Sequence, residues 1–262
     1  MNSFKSLYKN RYVLQELVRK SVKTQYRNSF LGMVWTVLNP LLNMLVMWVI
    51  FKNLFGRDEM YPLYLLSGNI LFACLRSATD GALGSIVHNR GLLTRIKIDS
   101  YLFPLSSIFS SIVSFLFSII ALLMIMLIFE FSGIAVFSFK LFAIILMIPA
   151  FMLFEYGIGL FLSAIYVFAR DIKYLYSVFL TLWTYITPIF YYADTLKSSF
   201  ATTVIHLNPM YYFVTFFRGA IYNGWTNGLW SELGLLYLFG VVSVIIGYLV
   251  FRPLNKKFVT NI

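Results

Sequence analysis

Three ionisable side chains stand inside long apolar runs of the sequence, where a charge is costly unless it is paired or has a function. Arg76 and Asp80 are four residues apart, so on a helix they share one face, and we expect them to form an ion pair. Glu155 lies between Phe154 and Tyr156 and has no basic residue near it in sequence. An isolated carboxyl at this depth could relay protons in a transporter or accept a hydrogen bond from a neighbouring helix.

The motifs of common catalytic and metal sites do not occur in the sequence. There is no G-x-x-x-x-G-K-[ST] phosphate loop, no H-E-x-x-H zinc helix and no G-x-S-x-G nucleophile elbow. The single cysteine, Cys74, excludes an internal disulfide, and the two histidines, His88 and His206, are far apart. We therefore expect a chain that is not itself an enzyme and that holds no metal and no cofactor.

The elements that would position these residues follow from the composition. Of 262 residues, 60% are hydrophobic and 12% are charged, whereas a soluble domain carries roughly 25% charged residues. This excludes a water-soluble globular protein and predicts an all-α polytopic membrane protein. Six segments are long and apolar enough to span a bilayer. They are 33–55, 61–83, 103–129, 140–169, 174–193 and 232–251.

The net charge of +11 fits either nucleic-acid binding or membrane topology. With six spans, fifteen Lys and Arg residues lie on the side of the two termini and five on the opposite side. Cytoplasmic loops carry such an excess, so we predict that both termini are cytoplasmic. The charge then serves topology and attraction to anionic lipid, and no nucleic-acid partner is expected.

Two segments outside the spans have their own patterns. Apolar residues between positions 4 and 26 recur near the helical period, with Lys and Arg on the other face. This predicts an interfacial amphipathic helix, or alternatively a plain basic anchor. The whole chain is interpreted as one transmembrane domain. Its parts are an interfacial helix at 1–32, spans one to five at 33–193, an external segment at 194–231, the sixth span at 232–251 and a cytoplasmic tail at 252–262.

The external segment contains an apolar stretch, 210–222, that is too short to cross a bilayer. Breaker pairs flank it, Asn-Pro before and Asn-Gly after. Such a segment at membrane depth predicts short re-entrant helices that form an external lid, because irregular backbone there must be surrounded by protein or water. The alternative is a helix that lies flat on the surface. The candidate gate residues are Asn208, Pro209, Tyr211, Tyr212, Phe216 and Arg218.

Aromatic residues crowd the fifth span and the segment after it. They could form the aromatic belt of a membrane interface, or a lining on which pyranose rings slide. The second loop between spans, residues 84–104, is predicted to be cytoplasmic and mixes basic and apolar residues. It could lie on lipid headgroups or dock a cytoplasmic partner.

Three stretches together resemble the permease subunits of ABC-2-type exporters that move O-antigens, teichoic acids and capsular polysaccharides. The first is YRNSFLGMVWTVLNPLLNMLV at 26–46, and the second is NRGLLTRIKIDSYLFPLS at 89–106. The third combines ARDIKYLYSVFLTLWTYITPIFY at 169–191 with HLNPMYYFVTFFRGAIYNG at 206–224. The resemblance covers nearly the whole chain.

This resemblance implies a second copy of the chain, two copies of a separate ATPase subunit that binds ATP and Mg²⁺, and a polyprenyl-diphosphate-linked glycan as cargo. It implies a location in the bacterial inner membrane. Candidate channel-lining residues are Trp35, Trp183, Tyr185, Phe190 and Tyr191. Candidate clamps for the diphosphate are Arg27, Arg90, Arg95 and Lys97, since Arg binds phosphate oxygens bidentately. The region expected to couple to the ATPase comprises Gly84, His88, Asn89, Arg90, Arg95 and Ile98.

Three alternatives predict different features. An ABC-2 permease for a small amphiphile or drug shares the fold but needs no aromatic track. A proton-coupled transporter using Glu155 predicts inverted repeats, and the two halves of the chain show no convincing similarity. A membrane enzyme acting on polyprenyl lipids would need clustered carboxylates or histidines.

Overall fold

The computed structural model describes residues 10–25, 32–51, 59–95, 98–134, 137–195 and 198–258, and the regular structure within these residues is entirely helical. The helices are α1 (Arg11–Gln25), α2 (Val34–Phe51), α3 (Tyr61–His88), α4 (Arg90–Arg95), α5 (Leu102–Phe131), α6 (Ala143–Phe168), α7 (Ile172–Ile186), α8 (Ser199–His206), α9 (Pro209–Arg218) and α10 (Leu229–Asn255). Short 3₁₀ turns at Phe139–Phe142 and Ala193–Thr195 and a π turn at Gly219–Asn223 connect them.

Five stretches in the described part of the chain have the length and composition of membrane spans: α2, α3, α5, α10 and Phe139–Phe168, which contains α6. The all-helical, multi-pass class is therefore confirmed. The fifth predicted span, 174–193, corresponds to α7, which has 15 residues. At 1.5 Å per residue it is about 22 Å long, shorter than the hydrocarbon layer of about 30 Å. A turn at Thr187 and Pro188 ends it.

The helix α3 is the centre of the bundle. It begins with Tyr61 and Pro62, and proline suits the first turn because it lacks an N–H that would be unpaired there. Most of its residues are buried, and it packs against α2, α5, α6, α7 and α9. Because α3 touches so many elements, the few exposed positions on it are informative about function.

Backbone-to-backbone packing joins α6 to α10. A Cβ on Gly157 of α6 would overlap the main chain of Ser243, and one on Gly247 of α10 would overlap the carbonyl of Gly157. Likewise, a Cβ on Gly240 would lie 2.8 Å from the Ala150 oxygen. Small residues let membrane helices approach this closely, and dispersion contacts between them replace the hydrophobic effect.

We expect Gly157→Val to prevent folding of the α6–α10 pair. The added methyl groups meet main-chain atoms that cannot rotate away, so the cost exceeds the usual overpacking penalty of about 1–3 kcal/mol. Fluorescence-detected size exclusion of a tagged chain measures the loss as a fall in the monodisperse peak. Gly234→Val on α10 is the matched control, because nothing lies within 4 Å of a Cβ at that position. Equal peaks for the two variants would show that the close crossing is unimportant.

A second apolar cluster marks one end of the bundle. It joins Leu17 of α1 to Ile86 at the end of α3, Phe103 at the start of α5, and Phe251 and Phe258 near the end of the described chain. Basic residues surround it in sequence, so we call this the basic end. The predicted interfacial helix at 1–32 corresponds to α1, whereas residues 1–9 and 26–31 lie outside the described part. α1 is thus docked on the bundle through its apolar face.

Candidate functional site

One face of α3 carries small and polar residues although the rest of the helix is buried. They recur at helical spacing, and all are exposed or half-buried. This α3 strip consists of Asn69, Ala73, Arg76, Ser77, Asp80 and Gly81. Polar groups at the depth of a spanning helix are costly against lipid. The strip must therefore face a watery cavity or another protein surface.

The neighbouring helix α2 carries a parallel polar strip of Thr36, Asn39 and Asn43. The amide of Asn43 donates to Oδ1 of Asn39 at 2.9 Å, which orients both side chains along the exposed face. The hydroxyl of Ser118 on α5 donates to the Thr36 carbonyl at 3.2 Å and fixes α2 against the bundle. This strip therefore has a defined position beside α3.

The third strip lies on α7 and consists of Ser177, Thr181 and Thr184. The hydroxyls of Thr181 and Thr184 donate to main-chain oxygens one turn earlier, at 3.1 and 2.7 Å. Each hydroxyl oxygen keeps lone pairs that can accept. The guanidinium of Arg76 donates to Oγ1 of Thr184 at 3.3 Å, so the α3 and α7 strips are joined across the interface.

The three strips meet at a cavity of about 390 Å³, which we call the central cavity. Its polar lining comes from Asn43, Asn69, Arg76 and Thr184, and Phe190 contributes an aromatic face. Amides, a hydroxyl and a guanidinium beside apolar walls can hydrogen-bond a polar ligand without reacting with it. Among the described residues no three His, Cys, Asp or Glu side chains cluster as a metal site would require. The residues of this cavity can therefore bind a polar ligand and let it pass.

The expected ion pair between Arg76 and Asp80 does not form, and that prediction is wrong. No ion pair within 4.0 Å joins these two residues in the described part of the chain. The i, i+4 spacing places them on one face, but Arg76 turns toward Thr184 on α7. Asp80 is exposed and lies in the electrostatic field of both Arg76 and Lys173. The longer reach of the Arg side chain across the helix interface explains the difference.

Glu155 on α6 is fully buried. Neither carboxyl oxygen has a hydrogen-bond partner within the described residues, so the expected interhelical hydrogen bond is not found there. The thiol of Cys74 on α3 lies near this carboxyl, and its sulfur is 3.6 Å from the Ser111 hydroxyl oxygen. Glu155 does not line the central cavity and stands apart from the three strips.

The five candidate channel residues separate into two groups. Phe190 lines the central cavity, and Trp35 is 46% exposed one turn before Asn39 on the same face of α2. Tyr185 is also exposed, and its carbonyl accepts a hydrogen bond from the Tyr191 hydroxyl at 3.1 Å. Trp183 instead points into the bundle, where its ring packs edge-on against Phe72 and Phe154.

The candidate gate residues begin with Asn208, which ties the end of α7 to the start of α9. Its Oδ1 accepts from the Met210 N–H at 3.0 Å and from the indole of Trp183 at 2.7 Å. Its amide donates to the hydroxyl of Thr187 at 2.9 Å. Pro209 follows in the first turn, where it suits a helix start. The asparagine therefore caps α9 and connects two elements at once.

The remaining gate candidates lie along α9. Phe216 is fully buried and packs on the Trp225 ring, whereas Tyr211 and Tyr212 are half-buried. The Tyr212 hydroxyl donates to the His206 carbonyl at 3.0 Å and closes the turn between α8 and α9. The α9 helix is thus packed onto the bundle by its aromatic side chains.

Arg218 ends α9 and is only 6% exposed. Its guanidinium donates to the Pro188 carbonyl at 2.8 Å and to the Tyr64 carbonyl at 3.0 Å. It also lies 3.3 Å above the centre of the Tyr64 ring. Gly68 makes room for it, since a Cβ there would lie 2.9 Å from Nη2 of Arg218. Carbonyl dipoles and an aromatic face stabilise this buried cation.

The clamp and coupling candidates that the structure describes lie at the basic end. Arg90 and Arg95 begin and end α4, and Arg90 is exposed. Arg27 and Lys97 lie outside the described residues. Ile98 packs against the apolar cluster of the basic end. The coupling region is therefore attached to the same cluster as α1.

Two further coupling candidates, His88 and Asn89, fold back onto the last turns of α3. The His88 ring folds back over Gly84, where a Cβ would lie 2.6 Å from the ring. The Asn89 amide donates to the Ser85 carbonyl at 2.8 Å.

The strip residues other than Arg76 and Asp80 were not among the predicted site residues. The signal in the sequence is polar residues spaced three or four apart inside apolar runs, as at 36, 39 and 43 or at 177, 181 and 184. That spacing places them on one helix face.

The chain is similar in sequence to known transport proteins. The ABC-2 type transporter family matches residues 12–222. An O-antigen export system permease protein, RfbA, from Myxococcus xanthus is 29% identical over 220 residues, covering 83% of each chain. An RfbA from Klebsiella pneumoniae is 26% identical over 98% of each chain, and the polysialic acid transport protein KpsM of Escherichia coli is 21% identical over 95%. This chain belongs to the ABC-2 type transporter family.

Proposed function

We propose that this chain is the membrane-spanning permease subunit of an ATP-driven exporter for a lipid-linked polysaccharide. The observation that carries the proposal is the meeting of three polar strips at the central cavity inside membrane-spanning helices. A polyol segment suits amide and hydroxyl partners, and the aromatic face of Phe190 suits the C–H face of a sugar ring. The relatives named as O-antigen and polysialic acid transport proteins support the same class of cargo.

In this proposal six segments cross the membrane, with α7 and residues 187–195 together making the fifth crossing and α10 the sixth. The basic end is cytoplasmic, since Arg90, Arg170, Lys173 and Arg252 all belong to it. α1 then lies at the cytoplasmic interface, and the α8–α9 pair is re-entrant from the external side. The membrane is the bacterial inner membrane.

A second copy of the chain covers the exposed strips. The strips on α2, α3 and α7 are open in a single chain, and lipid is an unfavourable neighbour for them. Two copies related by a two-fold axis would turn the strips toward each other and enclose a polar channel. The exposed side chains of Trp35 and Tyr185 would then line its walls.

Two copies of a separate ATPase subunit supply the free energy for transport. They bind ATP and Mg²⁺ beneath the basic end. A near-complete switch between two channel states takes roughly 5.5 kcal/mol of differential nucleotide binding. This chain has no phosphate loop, so the partner must supply that free energy. The α4 segment and the end of α3 are placed to receive the motion, because they pack on the apolar cluster that also holds α1.

The cargo's diphosphate would sit at the cytoplasmic headgroup level. Arg90, with Arg27, Arg95 and Lys97, would hold it by charge-assisted hydrogen bonds. Arg90 is exposed at the basic end and free of the apolar cluster, as a headgroup ligand must be.

Deletion of the gene in its native host tests this function. We expect surface polysaccharide to disappear and lipid-linked polymer to accumulate inside the cell, with both effects reversed by a plasmid copy. Gel analysis of cell-surface and cytoplasmic-membrane fractions with glycan staining measures them. Unchanged surface polysaccharide in the deletion strain would contradict the proposal, and altered sensitivity to a drug instead would favour a small-amphiphile exporter.

A further inference from the structure

A second cavity, of about 470 Å³, opens between α1, α3 and α5 at the basic end. Seven of its fourteen lining residues are serines, and we call it the serine cavity. Ser77 and Gly81 contribute to its wall, and both belong to the α3 strip. Arg76, the preceding strip residue, lines the central cavity. The two cavities thus adjoin through neighbouring residues of the α3 strip.

Five of the seven serine hydroxyls of this cavity donate to main-chain oxygens. Ser106 donates to the Phe103 carbonyl at 2.7 Å, and Ser110 donates to the Ser106 carbonyl at 2.8 Å. Ser111 donates to the Cys74 carbonyl at 2.9 Å, so the pattern extends across two helices. A hydroxyl has one donor and two acceptor lone pairs. Toward a ligand these five hydroxyls can only accept, so a ligand that fits them brings donor groups, while Lys20 can donate to acceptors of the same ligand.

The charge of the lining distinguishes among donor-rich ligands. Lys20 of α1 is exposed at the wall, and no carboxylate is among the described lining residues. A ligand with an ammonium group, or a metal cation, would be repelled by the Lys20 ammonium, and no carboxylate in the described lining would offset that repulsion. A neutral polyol brings donor hydroxyls without that repulsion, and the volume lies in the range of small-molecule sites, about 300–1,000 Å³.

The cavity also shares residues with the region expected to couple to the ATPase. His88 and Asn89 line it at the end of α3, one residue before α4 begins. Its opposite wall is α1, which is held by Leu17 in the apolar cluster of the basic end. A movement of α4 or α1 would therefore change the shape of this cavity directly.

We infer that the serine cavity is a loading site that binds sugar hydroxyls of the polymer before the chain passes along the α3 strip into the central cavity. This inference rests on the proposed export function. Sugar hydroxyls donate to the serine oxygens, and the ligand is released when the ATPase-driven motion of α4 and α1 reshapes the wall.

Cysteine labelling in the assembled transporter tests the loading site. Ser107→Cys places a thiol in the cavity wall beside Gly81, whose Cβ would lie 3.3 Å from that of Ser107. The native Cys74 is buried, and the unsubstituted chain gives the background. Maleimide labelling rates are measured in inverted membrane vesicles from two hosts. One makes the polymer but carries a catalytically inactive ATPase, and the other has the same ATPase and lacks the polymerising glycosyltransferase.

We expect Ser107→Cys to react severalfold more slowly in vesicles that contain the stalled polymer. Thr94→Cys on α4 is the matched control, because it is exposed at the same end but does not line the cavity, and its rate should be equal in both hosts. Ser77→Cys, on the α3 side of the same cavity, repeats the test should Ser107→Cys fail to assemble. Equal rates in both hosts for an assembled variant overturn the loading site. The proposed export function is judged separately, by the surface polysaccharide of the deletion strain.

Discussion

Ala73→Trp is expected to reduce surface polysaccharide by roughly tenfold or more while the chain still folds and binds its ATPase. Ala73 is an exposed residue of the α3 strip and lines the central cavity. An indole at this position would project into the space between Asn43 and Thr184. Forcing a polymer past it should cost at least the overpacking penalty of about 1–3 kcal/mol, and about 1.4 kcal/mol corresponds to a factor of ten.

The matched control is Leu249→Trp on α10. Leu249 is 66% exposed and belongs to neither cavity, so the same side chain there meets no substrate. Glycan staining of surface fractions measures export, and size exclusion of the tagged chain measures folding. Normal export by Ala73→Trp would show that the polymer does not follow the α3 strip.

Arg218→Met is expected to destabilise the folded chain by about 2–5 kcal/mol, because each hydrogen bond to a charged donor contributes about 1.5–3 kcal/mol. Methionine keeps the apolar stem but leaves the Pro188 and Tyr64 carbonyls without the guanidinium donor. It also removes the cation above the Tyr64 ring. The segment after α7 would then lose its attachment to α3 and α9, and thermal unfolding in detergent should begin at a lower temperature.

Two further substitutions separate the causes. Arg218→Lys keeps a charge but makes fewer bonds, so we expect an intermediate loss. Arg252→Met removes an exposed arginine from α10 and should leave the unfolding temperature unchanged. If Arg218→Met unfolded at the temperature of the unsubstituted chain, the buried guanidinium would not be what holds the 187–190 segment.

The helical class and the approximate position of every long helix could be predicted from the sequence. Apolar runs report burial or lipid contact directly, so the predicted 103–129 and 232–251 correspond to α5 and α10. The extent of α7 could not be predicted, because Thr187 and Pro188 end the helix inside a segment that stays rich in aromatic and aliphatic residues up to Tyr192. Hydropathy averages over that break.

The candidate site was harder to predict, because it depends on which helices are neighbours. Arg76 was predicted from its charge, but its partner Thr184 lies 108 residues away on a helix whose neighbours the sequence does not reveal. Arg218 was predicted as a gate residue, and its hydrogen bonds to the buried carbonyls of Pro188 and Tyr64 could not be predicted from its sequence neighbours. Serine and threonine residues within apolar runs were not predicted as site residues, although their spacing places them on helix faces that line both cavities.

The central claim is that the chain works as one half of an ATP-driven pair of subunits, and co-purification tests it most directly. The chain is tagged at its C-terminus in the native host, purified in mild detergent, and assayed for ATP hydrolysis and for associated proteins by mass spectrometry. We predict recovery of a phosphate-loop ATPase in stoichiometric amount, with hydrolysis that depends on that subunit. Recovery of the chain alone, monodisperse and without ATPase activity, would contradict the claim and make the buried Glu155 the first residue to test for proton coupling.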